Sequence, residues 1–155
     1  MAKGQDDGLL PGLVDTPTRR TLRIRYLRSG LGWLEADFKP SARFTNHVGN
    51  VQGGILGAFL DNVMGQCCHA AAGPEQALTT TEMSLYFLAP APLGRLLGKA
   101  RVIKRGRRLF FVEGEVRDLQ GNPLVRAVAT MLVMRRPRPG VEGPVPGEPG
   151  PTPAG

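Results

Sequence analysis

The apolar positions between residues 52 and 72 predict one buried helix. From about Gln52 to Ala72, apolar residues cover most of the surface that a helix presents, and Gly73 with Pro74 ends the run. Asp61 is the one acid in this run. A carboxylate in such a place costs several kcal/mol unless it is paired or hydrogen-bonded. Asp61 is therefore either a satisfied structural acid or a functional one.

Alternating polar and apolar residues predict strands on both sides of that helix. The predicted strands cover 21–27 and 33–38 before it, and 78–88, 95–104, 109–117 and 124–134 after it. Turns rich in Gly, Pro and Asn separate them. One long helix with a meander of strands favours an α+β domain, in which an antiparallel sheet wraps around a central helix. A parallel βαβ fold is disfavoured because only one helix is evident.

The length of 155 residues fits a single domain with aperiodic ends. We predict a flexible segment over 1–18, the folded domain over 19–136, and a disordered Pro- and Gly-rich tail over 137–155. No apolar run reaches the roughly 18 residues of a membrane helix, and the start lacks the features of a secretory signal. Adjacent Cys67 and Cys68 are typical of core residues in a reducing compartment. We therefore expect a cytoplasmic protein that does not engage a membrane.

The net charge of +7 leaves three kinds of anionic partner open: nucleic acid, a lipid surface and a small ligand. No recognition helix, zinc finger or aromatic-rich sheet accompanies the scattered basic residues, so nucleic acid is the weakest of these. Solvated faces and steering of an anionic ligand explain the charge about equally well. Cys67, Cys68 and His69 are consecutive on the helix and face different ways, so we expect no metal site.

Several motifs follow one another in a fixed order around the predicted helix. They are Asn46, Gly49, Gln52 with Gly53 and Gly54, Asp61 nine residues after Gln52, Phe-Leu-Ala-Pro at 87–90, and a basic hairpin at 102–108. This order resembles the hotdog-fold acyl-CoA thioesterases of the phenylacetic acid degradation (PaaI-like) family, in which His-Gly-Gly opens the central helix. The resemblance covers roughly residues 20–135 and implies the hotdog fold.

Gln52 occupies the place of the family's His. Glutamine keeps a donor and an acceptor but cannot titrate. A step that needed an imidazole as proton carrier would be lost, whereas the orientation of an asparagine, a water or the thioester would survive. We interpret the chain as a Gln-containing subgroup of the family.

The resemblance implies a site for thioester hydrolysis at two places on the helix. The N–H of Gly53 is implied as the oxyanion donor. Asp61 is implied as a general base on water or as a nucleophile, and the sequence does not separate these two roles. Asn46 and Gln52 are implied as positioning groups for water or for the carbonyl.

Polar side chains of the strand after the helix supply one more candidate. Thr80 and Thr81 lie where that strand is expected to pass the site, and either hydroxyl can hydrogen-bond to water or to the acid. The resemblance favours Thr80. Glu82 on the same strand is a weaker candidate.

The implied substrate is an acyl-CoA, and no separate cofactor is expected because CoA is part of the substrate. Gly54 is a candidate for holding CoA. Arg105, Arg107 and Arg108 in the basic hairpin are suited to its phosphates. Exposure to solvent alone also accounts for these arginines.

The resemblance also implies an assembly. In the family the Asp works across a dimer interface, opposite the glycine end of the neighbouring helix. The eight residues from Gly53 to Asp61 span about 12 Å of helix, too far for both to touch one carbonyl within one chain. A homodimer is therefore expected as the smallest active unit, assembled further into a homotetramer.

Two other activities stay open on the sequence. A non-catalytic acyl-CoA binder or regulatory domain on the same fold is the alternative that Gln52 motivates. A dehydratase or hydratase of the related hotdog enzymes needs a titrating His on the central helix or its approach, which Gln52 does not supply. The acyl group itself is not specified, and aryl and medium-chain groups are both compatible with the sequence.

Overall fold

The computed structural model describes residues 9–135. In chain order the elements are α1 (Pro17–Leu22), β1 (Arg25–Gly30), β2 (Trp33–Phe38), α2 (Gly53–Ala71), β3 (Gln76–Phe87), β4 (Leu96–Arg105), β5 (Leu109–Arg117) and β6 (Pro123–Arg135), with a 3-10 turn at Ala42–Phe44. The tail predicted over 137–155 lies outside the described residues. So does the start of the segment predicted over 1–18, up to residue 8.

The six strands form one antiparallel sheet in the order β1-β2-β4-β5-β6-β3. α2 lies along one face of this sheet and contacts β2, β3, β4, β5 and β6. This is the hotdog arrangement, so the predicted α+β class is confirmed. β3 lies at one edge and pairs with β6 alone within residues 9–135.

α2 begins and ends where the glycine pattern indicates. Gln52 is its N-cap and Ala72 its C-cap, so the predicted span agrees with the observed helix to within one residue at each end. Gly73 then lets the chain turn toward β3. No helix within residues 9–135 is long and apolar enough to cross a membrane.

Two glycines of the sheet let α2 approach it closely. A Cβ atom on Gly98 would lie 2.5 Å from the ring of Phe59, and one on Gly114 would lie 3.0 Å from the side chain of Met64. Phe59 also stacks on Phe38 of β2, with ring centroids 4.1 Å apart. A side chain at position 98 or 114 would push α2 away from the sheet, because packed interiors leave no free volume.

The predicted strand over 21–27 is wrong at its start, because Thr21 and Leu22 belong to α1. The Thr16 hydroxyl caps this helix by accepting a backbone N–H at 3.1 Å, and Pro17 occupies the first turn. A threonine cap followed by proline is a strong helix start. This capping signal, and not the alternating pattern, determines the structure of Thr21 and Leu22, and β1 begins only at Arg25.

Residues 9–18 pack onto α2, although the sequence predicts a flexible segment as far as residue 18. Leu13 is buried in the core, and the Val14 N–H donates to the Gln66 side chain at 2.9 Å. The Tyr26 hydroxyl donates to Asn62 at 2.7 Å, and burial raises the pKa of Tyr26 to about 12, which keeps this donor protonated. Asn62 in turn donates to the cap residue of α1 at 3.2 Å. The folded domain therefore starts before residue 19, because polar groups of α2 give this segment specific partners.

Candidate active site

A tight loop carries the chain into α2. The Asn46 N–H donates to the Asn50 carbonyl at 2.7 Å, and Gly49 between them has φ of 84°. That left-handed conformation favours glycine, because other side chains are strained there. The Gln52 N–H then donates to the Phe44 carbonyl at 2.8 Å. These bonds fix the place and direction in which the helix starts.

Asn46 shapes this loop through its side chain. The carboxamide oxygen accepts the N–H groups of Val48 and Asn50, both at 3.1 Å. This is the local bonding by which asparagine forms turns. The oxygen is thereby committed to the loop, so the group that Asn46 can present to a ligand is its side-chain NH2.

The first two backbone N–H groups of α2 have no acceptor among residues 9–135. These are the N–H groups of Gly53 and Gly54, whereas the next two N–H groups donate to the Gln52 carbonyl. Such free groups give a helix start a partial positive charge. The first turn of α2 carries no acidic residue. An anion or a developing oxyanion is therefore stabilised at this place.

An open cleft of about 430 Å³ borders these amides. Its wall is formed by Asn46, Val48, Asn50, Val51, Gly53, Leu56, Phe87, Leu88, Ala89, Pro90 and Ala91. Phe87 lies against the helix start, since a Cβ atom on Gly53 would come within 3.1 Å of two of its ring carbons. A Cβ on Gly54 would meet no atom within 4 Å. The cleft therefore places a mostly apolar wall beside free hydrogen-bond donors.

Gln52 stands at the border between this loop and the helix. Its side chain is exposed and makes no capping hydrogen bond to α2. The amide group is therefore not needed to hold the helix start. It remains available to a ligand that approaches the Gly53 N–H.

Asp61 and Thr80 are brought together by α2 and β3. The Thr80 hydroxyl donates to Asp61 Oδ1 at 2.8 Å, as the candidate role for Thr80 requires. The next hydroxyl along the strand, that of Thr81, donates to the Thr130 carbonyl at 3.0 Å instead. A bulge in β3 between Thr80 and Glu82 gives the two threonines these different directions.

The position of Asp61 corrects the expectation that α2 is internal on all sides. Asp61 is half-buried, and Ala58 and Gly65, which lie on the same side of the helix, are also only partly buried. No strand or loop among residues 9–135 covers this side completely. The carboxylate thus keeps access to solvent while Thr80 holds one of its oxygens.

The predicted site residues fall into two groups within one chain. Gly53 and its neighbours lie at the end of β3 that carries Phe87. Asp61 lies eight residues, about 12 Å, further along α2 and beside Thr80. Within one chain the predicted site residues therefore form two separate groups, here called half-sites, rather than one cluster.

The basic hairpin lies at the Thr80 end of the sheet. Leu109, just after the hairpin, opposes Leu132, which in turn opposes Thr79. Arg105, Arg107 and Arg108 are exposed there, and the Arg105 guanidinium lies 5.7 Å from the ring centroid of Phe110. The structure therefore does not bring these arginines to the Gly53 cleft of their own chain.

Glu82 and the two cysteines lie away from the half-sites. Glu82, the weaker candidate on β3, lines a shallow groove with Ile103 and Phe111 on the face of the sheet away from α2. Cys67 and Cys68 are fully buried, and burial raises their pKa values to about 11 and about 12. Neither cysteine supplies a thiolate near neutral pH.

Comparison with known families identifies the chain. Residues 48–125 match the family described as Thioesterase superfamily. The chain belongs to the thioesterase superfamily. The match begins in the loop before α2 and includes Gly53, Asp61 and Thr80. Thioester hydrolysis is therefore its class of reaction.

Individual relatives agree with this membership. The chain is similar to a phenylacetic acid degradation-related protein from Ralstonia eutropha JMP134, with 35% identity, coverage of 77% of this chain and 92% of that one, and a TM-score of 0.73. It is 24% identical to human acyl-coenzyme A thioesterase 13 over 106 residues, which are 66% of this chain and 74% of that protein. The E. coli PaaI protein from the phenylacetic acid degradation operon shares the fold, with 17% identity, coverage of 77% and 86%, and a TM-score of 0.73.

The sequence interpretation missed part of the cleft wall. Val48 was given no role, yet it lines the cleft and is 65% exposed. Its signal in the sequence is a single apolar residue inside an otherwise polar turn. Leu56 is one of the apolar residues that predict the buried helix, and in the structure it also lines the cleft.

Removal of the Thr80 hydroxyl is expected to impair turnover. Thr80→Val keeps the shape of the side chain and removes the donor to Asp61. A hydrogen bond to a charged group is worth about 1.5–3 kcal/mol, so kcat/KM for a thioester should fall roughly 10- to 100-fold. Thiol release under steady-state conditions measures the change.

Thr81→Val is the matched control, since it removes a hydroxyl that bonds to the backbone of β6 instead. It should keep kcat/KM within a few-fold of the wild type. Equal losses in the two variants would show that the Thr80–Asp61 bond has no special role.

Proposed function

We propose that this protein is an acyl-CoA thioesterase that hydrolyses an aryl or medium-chain acyl-CoA to the free acid and CoA. The observation that carries the proposal is the pair of free amides at the start of α2, set in a largely apolar cleft. That arrangement suits an apolar acyl group whose carbonyl oxygen gains negative charge during the reaction. The likeness to human acyl-coenzyme A thioesterase 13 supports an acyl-CoA substrate.

The chemistry starts at the thioester carbonyl. When the thioester oxygen accepts a hydrogen bond from the Gly53 N–H, the carbonyl carbon becomes more electrophilic. A preorganised donor of this kind lowers the activation free energy by roughly 3 kcal/mol. Asp61 acts in one of two ways. It takes a proton from the attacking water, or its own oxygen attacks and forms a mixed anhydride that water then hydrolyses. In both cases the C–S bond breaks, and CoA leaves as a thiolate that is then protonated.

The remaining candidates have supporting roles. Gln52 and the NH2 group of Asn46 orient the carbonyl or the water, and Thr80 holds the Asp61 carboxylate in one direction. Gly54 leaves room for the pantetheine part of CoA. Arg105, Arg107 and Arg108 bind its phosphates by charge-assisted hydrogen bonds. The reaction needs no cofactor, because CoA is part of the substrate.

A complete site needs two chains, and β3 provides the means of joining them. An unpaired edge strand of twelve residues readily pairs with another chain. When two copies of β3 pair in antiparallel fashion, the Phe87 end of one meets the Thr80 end of the other. The Gly53 cleft of one chain then lies opposite Asp61 of the partner. The exposed arginines of the partner's hairpin lie at that same end.

The register proposed for this pairing is the one that sets the half-site of one chain opposite the other half-site of its partner. On β6, Val128 opposes Ser84, while Val125 and Met131, three residues to either side, oppose Phe87 and Thr80. Ser84 is therefore midway between the two half-sites. A two-fold axis at Ser84 places Thr80 opposite the partner's Phe87. Opposed residues point to the same face of a sheet, and both of these side chains contact α2.

The proposed assembly is this dimer as the smallest active unit, with two dimers forming a homotetramer. Each dimer contains two identical sites, related by the axis at Ser84. Each site takes its oxyanion donor from one chain and its carboxylate from the other.

Asp61→Asn is expected to abolish most turnover. The amide cannot act as a base or as a nucleophile, and general base catalysis alone contributes roughly 100- to 10,000-fold. Release of free thiol from short, medium, long and aryl acyl-CoAs measures the effect and identifies the preferred acyl group. Glu75→Gln, in the exposed turn before β3, removes a carboxylate elsewhere and should leave the rate unchanged.

Full activity of Asp61→Asn would refute the assigned role of Asp61. The wild type could also release no thiol from any of these esters while acyl-CoA raises its Tm. That result would show that the protein is a non-catalytic acyl-CoA binder and not an enzyme.

The register predicts a cross-link at position 84. Opposed Cα atoms of antiparallel strands lie about 4.5 or 5.5 Å apart, within the range that a disulfide spans. Ser84→Cys should therefore form a covalent dimer on mild oxidation, seen on a non-reducing gel. Buried Cys67 and Cys68 are out of reach of the partner chain.

Glu82→Cys is the control on the same strand and the same face. Two such cysteines would be four residues apart along the paired strands, roughly 13 Å, so no cross-link should form. A cross-link at 82 that is as efficient as that at 84 would contradict the register.

A further inference from the structure

The rim of the Gly53 cleft carries exposed apolar side chains on both of its sides. Val48 is 65% exposed on the loop side, and Phe87 and Leu88 are 54% and 53% exposed on the β3 side. A single exposed apolar residue is normal on a protein surface, but several around one cleft mark a place where a ligand binds. The rim is therefore an apolar contact surface.

The cleft narrows to a buried apolar floor. The Val51 N–H donates to the Ala91 carbonyl at 2.8 Å, and this bond joins the loop side to the β3 side. Both of these residues are buried, and so is Leu56, which lies one turn after Gly53 on α2. The volume of about 430 Å³ is within the range of roughly 300–1,000 Å³ that small-molecule sites occupy.

The wall of the cleft has no charged side chain in the part of the chain that the structure describes. Its polar side chains are those of Asn46 and Asn50, and the Asn46 oxygen is already committed to the loop. A charged group on a ligand would therefore find no ion-pair partner here. Because an unpaired charge in apolar surroundings is strongly unfavourable, the cleft selects against such ligands.

The loop holds Val48 at the rim without the help of its side chain. The Val48 N–H donates to the Asn46 side-chain oxygen, and the Gly49 N–H donates to the Asn46 carbonyl at 3.0 Å. These bonds use only the backbone of residues 48 and 49. The Val48 side chain is therefore not needed for the conformation of the loop, and its position tolerates substitution.

The two glycines at the start of α2 separate the two ends of a thioester. Gly53 lines the cleft, whereas Gly54 does not, and a Cβ atom on Gly54 would meet open space. Successive residues of a helix point about 100° apart. A thioester whose oxygen lies at the Gly53 N–H can thus place its acyl group in the cleft and its sulfur on the Gly54 side.

We propose that the acyl group lies in this cleft and that Val48 is a specificity residue, which selects acyl groups without a charge at their far end. Val48 contacts the acyl chain from the loop side, and Leu88 contacts it from the β3 side. Neutral aryl and alkyl groups are preferred, and acyl-CoAs that end in a carboxylate are poor substrates. The proposal rests on the function proposed above, since it states which thioesters that site accepts.

Val48→Arg tests the assignment, because the guanidinium supplies the ion-pair partner that the cleft lacks. Hexanoyl-CoA and adipoyl-CoA are a matched pair of substrates, with equal carbon numbers and a methyl or a carboxylate at the end. The wild type should prefer hexanoyl-CoA. In the variant, the ratio of kcat/KM for adipoyl-CoA to kcat/KM for hexanoyl-CoA should rise about tenfold, since hydrogen bonds between charged groups are strong. Thiol release measures both rates.

Two control variants separate this effect from general electrostatics and from size. Leu31→Arg adds the same charge in the exposed turn between β1 and β2, away from the cleft. Val48→Met adds length at the same position without a charge. Both variants should keep the wild-type ratio.

An unchanged ratio in Val48→Arg would overturn the role of Val48 and leave thioester hydrolysis intact. So would a wild type that hydrolyses the two esters equally well. A wild type that releases no thiol from either ester would instead refute the proposed function. Selectivity would then be read from the rise in Tm with each acyl-CoA, which should be larger with hexanoyl-CoA for the wild type and shift toward adipoyl-CoA in Val48→Arg.

Discussion

The close packing of α2 on the sheet is the constraint on which the rest of the molecule depends. Gly98 and Gly114 have no side chains, and Phe59 and Met64 occupy the space that is left. That contact fixes the height and the rotation of the helix above the strands. The height brings the start of α2 against Phe87, and the rotation directs Asp61 to Thr80. Both half-sites are therefore consequences of the way in which α2 packs on these two glycines.

The same packing explains why a single chain holds the two groups of candidate site residues apart. A helix held rigidly along the sheet keeps its first amide and its ninth residue about 12 Å apart, and no local movement closes that distance. The unpaired edge of β3 is a separate feature, since its backbone N–H and C=O groups have no hydrogen-bond partner on another strand within residues 9–135. The antiparallel pairing proposed for two β3 strands would meet both requirements. It would satisfy the edge, and it would bring the carboxylate of one chain to the free amides of the other.

Sequence pattern was sufficient for the helix and most of the strands, because these depend on periodic burial and on glycine and proline at their ends. It failed at α1, where a short capping signal at Thr16 and Pro17 competes with an alternating pattern. It also failed for residues 9–18, whose partners Asn62 and Gln66 lie on α2, more than forty residues away in the chain.

In the candidate site, too, some features are predictable from the sequence pattern and others only from the three-dimensional geometry. Gly53 and Asp61 are recognisable from their spacing in the sequence. The choice between Thr80 and Thr81 depends on a bulge, which shifts the direction of side chains without changing the pattern. The commitment of the Asn46 oxygen to its own loop depends on backbone geometry in the same way. The half-buried state of Asp61 is equally a property of packing, because periodicity does not show which side of an apolar helix the rest of the chain leaves uncovered.

Glutamine at position 52 is consistent with hydrolysis on this scaffold. A thiol has a pKa of roughly 8.5, so the CoA sulfur leaves as a thiolate without a strong acid to protonate it. The two groups that thioester cleavage does require are a donor for the oxyanion and a carboxylate for the attack. In the proposed mechanism the backbone of Gly53 supplies the first and Asp61 the second, and the Gly53 amide does not titrate. Gln52, exposed at the N-cap and free of the helix, needs only to orient the carbonyl or the water, and its amide group can do so without a change of charge.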